Sequence, residues 1–136
     1  MKGSRSSRPA PRAGHRAAEV VLDVDVDADR VHLVLVNCGD AVATHVHVEF
    51  SRPLAGMGDA PAISDLPVFT RLGVLRPGRA LQIFWDAAPV LLARGECAPF
   101  VATVSWSERS RRRQRAEYHH DLSIYRCWPQ TSDRRA

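Results

Sequence analysis

The chain has 136 residues, 45% apolar and 25% charged. That is about one domain's worth of sequence, long enough to bury a core without disulfides or metals, and its composition excludes a collagen-like or wholly disordered chain. It holds no run of about 18 apolar residues to make a membrane helix. Its basic N-terminus lacks the apolar stretch of an export signal, so a cytoplasmic location is expected.

The net charge of +4 suggests nucleic acid until it is divided. Residues 1–16 carry +5 and no acid, residues 17–108 carry −6, and residues 109–136 carry +5. The body is acidic, and the positive charge lies towards the two termini. Only one of the 19 basic residues is lysine. A GC-rich genome produces the same skew, so the arginines need a structural argument before they signify binding.

Residues 1–18 are rich in Arg, Ser, Pro and Ala and bury little, so a disordered basic tail is expected. From Glu19 the pattern alternates. Val20, Leu22, Val24 and Val26 share one face and Asp23, Asp25 and Asp27 the other, which predicts a half-buried strand. Ala28-Asp29 turns into the run from Arg30 to Asn37, which is apolar on both faces and suits a mid-sheet strand. The segment from Asn37 to Asp40 is a turn signal.

Alternation resumes at Val42, with Val42, Thr44, Val46, Val48 and Phe50 expected on one face and Ala43, His45, His47, Glu49 and Ser51 on the other. Residues 53–67 predict an irregular connection. A short strand near Leu72–Leu75 precedes Pro77-Gly78, which fits a type II turn, and Arg79–Asp86 predicts a strand with Leu81, Ile83 and Trp85 inward. Residues 87–94 fit either one helical turn or a crossover. Phe100–Trp106 predicts a strand, 107–115 a polar hairpin loop, 116–125 the last strand, and 129–136 a frayed end.

About seven short strands and no useful amphipathic helix predict an all-β protein, an immunoglobulin-like β-sandwich of antiparallel strands spanning 19–128. The expected core is Leu22, Val24, Leu33, Leu35, Val46, Val48, Phe50, Leu81, Ile83, Trp85, Phe100, Val104, Trp106, Tyr118, Leu122 and Ile124.

The run from Val34 through Asn37, Gly39 and Ala43 to Val46 and Val48 resembles the "hydrophobic strand, Asn-x-Gly, small residue, Val-x-Val" core of bacterial and archaeal immunoglobulin-like modules. CARDB-type domains and conserved-repeat adhesion modules are examples. Their second mark, Leu-x-Pro-Gly before a strand, is matched by Leu75, Pro77 and Gly78. The resemblance covers about 19–125 and implies a binding or scaffold module. Those modules are usually exported and repeated, so the fold carries over and the location does not.

Three cysteines without a signal peptide fit a reducing compartment. Closing a hairpin over 107–115 brings Cys97 near Cys127, a candidate pair, and leaves Cys38 alone at the other end. His45 and His47 share a face at a spacing that suits a metal. His119 and Asp121 lie two strands away, about 9–10 Å, too far for a shared zinc with ligands about 2.0–2.2 Å from the ion without a favourable twist. His120, on the inward parity, is expected at the core edge.

No nucleophile elbow, phosphate loop or zincin motif is present. The alternating Asp23, Asp25 and Asp27 do not wrap round a turn as an EF-hand loop does. No catalytic residue, metal or cofactor is therefore expected.

The most unusual local feature is Arg109, Arg111, Arg112, Arg113 and Arg115, expected together at one hairpin tip. Dense like charge keeps such a tip solvated. It offers a contact for a polyanion or an acidic partner, or for the Asp23–Asp27 acidic face of another copy. The leading expectation is a non-catalytic protein-interaction or assembly module with an unidentified protein partner. The alternative is a sequence-nonspecific nucleic-acid accessory protein making weak, salt-sensitive contacts.

Overall fold

The alternation after Glu19 produces strand β1 (Val20–Asp27), whose Val20, Leu22 and Val24 are buried and whose three aspartates are exposed. A two-residue turn, with Ala28 at φ +50, leads into β2 (Arg30–Asn37). The computed structural model of the chain describes residues 16–109 and 111–125. Beyond β2 come β3 (Ala43–Phe50), a short helix α1 (Pro67–Thr70), β4 (Leu72–Leu75), β5 (Ala80–Ala87), helix α2 (Ala88–Ala93), β6 (Phe100–Glu108) and β7 (Arg111–His120).

The strands form two sheets, ordered β1-β2-β5 and β4-β3-β6-β7, and every neighbouring pair is antiparallel. Among the described residues this is the expected immunoglobulin-like sandwich of seven antiparallel strands. β2 is central in its sheet, which accounts for its apolar outer face of half-buried His32, Val34 and Val36. The segment after β5 is both a helical turn and a crossover, because α2 lies on the passage from one sheet to the other. No helix among the described residues is long and apolar enough to cross a membrane.

Side chains from both sheets close the core, including Leu22, Leu33, Leu35, Val46, Val48, Trp85, Phe100, Val104 and Trp106. Aromatic rings run through it. Phe50 meets Phe69 edge-on at 5.0 Å, and Trp85 meets Phe100 at 6.1 Å, contacts worth about 0.5–1.5 kcal/mol each beyond their buried area. Phe50, Leu81, Ile83 and Tyr118 pack against this core while only partly buried. Leu54, Phe69, Leu75 and Leu91 are also fully buried. Three of these four come from the connections and short helices, where no periodicity marks them.

Several expectations are corrected. The face assignment before Val46 is reversed: Ala43 is buried and Val42 is exposed. The cause is a β-bulge between Thr44 and His47, with His45 in the left-handed region at φ +51. The extra residue resets the two-residue parity. Ile124 is 70% exposed rather than core, because the last strand stops at His120. The chain then enters a 3-10 turn (Leu122–Tyr125), where Asp121 accepts hydrogen bonds from the Ser123 amide and hydroxyl.

The expected tail also ends early. Ala18 is buried, and its amide donates to the Glu108 carboxylate at 3.0 Å. Residues 1–15 and 126–136 lie outside the described residues, and with them the rest of the tail and the frayed end.

The Asn-x-Gly motif proves to be a structural junction. Asn37 is fully buried. Its amide group donates to the carbonyls of Ala41 and Leu75, and its oxygen accepts from the amides of Glu19 and Gly39. All four of its hydrogen-bonding sites are thus used. A Cβ on Gly39 would stand 2.2 Å from the Ala17 carbonyl oxygen, so only glycine fits. The Arg79 amide donates to the Arg76 carbonyl across Pro77-Gly78, with Gly78 at φ +79, the type II turn predicted.

Candidate functional site: the outer face of the four-stranded sheet

Register decides where the chemistry goes. β6 and β7 pair from Phe100 opposite His120 to Glu108 opposite Arg111. The strands therefore stay paired out to Glu108 and Arg111, so the hairpin is far tighter than a 107–115 loop. Of the five arginines expected at one tip, only Arg109 lies in the turn, while Arg111, Arg112, Arg113 and Arg115 belong to β7. Successive strand residues point to opposite faces, so alternation separates charges that are adjacent in sequence.

Arg113 and Arg115 emerge on the outer face of the four-stranded sheet. Arg113 lies across it, donating to the hydroxyls of Ser105 and Ser107 at 3.0 Å each and to the His45 carbonyl at 2.9 Å. Arg115 faces Ser105 across the β6–β7 pair, and Ser105 faces His47. Arg115 also lies 3.6 Å from Glu117. The next row is acidic and neutral: Glu49, Thr103 and Glu117.

The bulge brings His45 to this face. With His47, Thr70, Arg71, Gly73 and Arg113 it lines an open depression of about 250 Å³. His47 reaches Glu49 at 3.7 Å, whereas neither Arg71 nor Arg113 has a carboxylate partner among the described residues. Sequence reading missed Arg71, which comes from the end of α1, and missed the bulge, which no glycine announces.

The acidic face lies across the sandwich. Asp23, Asp25 and Asp27 are exposed on the outer side of β1. Asp23 also accepts from the Val24 amide at 2.8 Å. The carbonyls of Val20 and Leu22 are engaged by the Tyr118 hydroxyl and by His120 Nε2, each at 2.9 Å. These contacts blunt the β1 edge against a further strand. They also bear out the expected core-edge place of His120, whose ring packs on Phe100 at 5.4 Å.

A second depression, of about 220 Å³, adjoins Ser51, Phe100, His119, His120 and Asp121. Its polar groups serve local structure: Ser51 Oγ accepts from the Val101 amide, and Asp121 is held by Ser123. Those hydrogen bonds draw the Asp121 carboxyl below its ordinary value. Burial, then the Glu19 carboxylate, then Cys38 push the Tyr118 phenol above its ordinary 10.0.

No group of three or more His, Cys, Asp or Glu side chains among the described residues could hold a metal ion. Cys38 is exposed and Cys97 half-buried, and Cys127 lies outside the described residues.

Residues 4–126 match a family model described as "Domain of unknown function (DUF8453)". No curated protein matches the chain, and no solved structure does. The chain belongs to the DUF8453 family.

Proposed function

We propose that this family member is a non-catalytic interaction module that seats an acidic protein segment on the outer face of its four-stranded sheet. The observation that carries this reading is the posture of Arg113. Its guanidinium is pinned by two serine hydroxyls and one carbonyl, with Arg115 at the next outward position and Arg71 facing the same depression. A cation already held in place loses less freedom on binding than a free one, and the arginine fork matches carboxylate geometry. Ser105 and Ser107 accept from Arg113, so their hydroxyl oxygens are engaged in orienting a cation. A binding or scaffold role is also what the resemblance of the two turn motifs to CARDB-type modules implies.

A second reading, sequence-nonspecific nucleic-acid contact, draws on the same arginines. Glu49 and Glu117 on that face, and the acidic body behind it, oppose a phosphate backbone laid along the sheet. A salt titration separates the two. A Glu-rich peptide should bind, and its Kd should rise at least tenfold in the R113S/R115S double variant. Duplex DNA should not be retained at about 50 mM salt, where phosphate contacts are strong. Salt-steep DNA binding that the double variant abolishes, without peptide binding, would replace this reading with the second.

A further inference from the structure

We infer that the depression between β3, β4 and β7 is a phosphate-recognition site, and that its ligand is a phosphorylated side chain on the acidic segment just proposed. This rests on that reading and sharpens it, because it assigns one ligand group to one place on the face.

Three independent features converge there. First, the charge is unspent. Arg71 and Arg113 both line the depression with no carboxylate partner among the described residues, and two arginines lining one depression suit a dianion better than a single carboxylate. Second, the backbone is deformed to build it. His45 is a non-glycine residue in the left-handed region at φ +51, a conformation that costs roughly 1–2 kcal/mol and that clusters at ligand sites. The bulge sets the His45 carbonyl on Arg113, and His45, His47 and Thr70 line the depression beside it. Third, the mouth is open. Gly73 stands at the rim, and a Cβ there would meet nothing within 4 Å, so a phosphate attached to a larger chain has room to enter.

The same glycine supplies a clean test. Gly73 is not in the left-handed region and has open space beside it, so Gly73→Glu places a carboxylate in the depression without disturbing the fold. Two acidic peptides of one sequence, one with serine and one with phosphoserine, are titrated into the full chain and followed by calorimetry. In parallel, inorganic phosphate is titrated and followed by backbone amide shifts.

The phosphopeptide should bind at least tenfold more tightly than the serine peptide. Arg71→Ser and Gly73→Glu should each abolish that difference, bringing the affinities of the two peptides to within about twofold of one another. Inorganic phosphate should shift the amides of residues 45–47 and 71–73 saturably. Equal binding of the two peptides, or a phosphate preference that survives Gly73→Glu, would overturn the inference and leave the acidic-segment reading intact. Loss of serine-peptide binding in R113S/R115S with no phosphate response supports the wider reading alone. Failure of both peptides, with a saturable phosphate response that Gly73→Glu removes, would instead make the ligand free phosphate and overturn the phosphopeptide assignment.

Discussion

Two regions of the sandwich are served by arginines, and they use them in opposite ways. At the end where β1 turns into β2, Arg52 is consumed by the fold. It pairs with Glu96 at 2.9 Å and donates to the carbonyls of Pro53, Glu96, Ala98 and Pro99. Arg94 does likewise, donating to the Gly56 and Ala55 carbonyls and lying 3.5 Å from Asp86. These two tie together loops that have no ladder of their own. On the outer face of the four-stranded sheet, Arg71 is bound to no carboxylate among the described residues and Arg113 is oriented by hydroxyls and a carbonyl. Charge alone does not make a binding residue; what matters is whether the fold has already matched that charge with a carboxylate.

The largest effect expected comes from the core beneath the arginine strand. Trp106 is buried, and its indole donates to Glu108 at 3.4 Å, so Trp106→Ala should cost roughly 3–5 kcal/mol in urea unfolding. A neutral result would break the β6–β7 register that puts Arg113 and Arg115 on the outer face.

Next is Arg52→Ala. Removing the shared donor strands several carbonyls and the half-buried Glu96, and should cost about 2–3 kcal/mol, the scale of charge-assisted hydrogen bonds. Arg71→Ser should change stability by less than about 0.5 kcal/mol, as exposed substitutions do. Equal destabilisation by both would dissolve the contrast between the two regions.

A smaller effect is alkaline. Because Tyr118 holds its proton above its ordinary 10.0 in the folded state, the unfolded chain releases that proton first. The contribution is complete below about pH 10 and falls as pH rises through the folded value. Urea midpoints measured between pH 8 and 11 should therefore drop more steeply for the wild-type chain than for Tyr118→Phe, which lacks both the ionisation and the bond to the Val20 carbonyl.

Much of the fold was legible because it depends on period and turn chemistry. β1 announced itself by alternating valine or leucine with aspartate, β2 by being apolar on both faces, and the β4–β5 connection by Pro77-Gly78. The buried Leu54, Phe69 and Leu91 carried no such signal, since isolated apolar residues in loops and short helices have no period to reveal them. The site was half legible. Arg113, Arg115, His45 and His47 stood out in the sequence, but their arrangement did not.

Two sheets' worth of strands, the parity of most of them and the unequal spread of charge along the chain are local properties, readable from residues because each depends on neighbours one to four positions apart. The packed fold settled which arginines hold loops and which face solvent, and that one aspartate row and one arginine row lie on opposite outer faces. It also decided that Arg71 and Arg113 line one depression beside the bulge at His45. These outcomes depend on hydrogen-bond partners dozens of residues away and on a single extra residue in a ladder, and no local pattern encodes either.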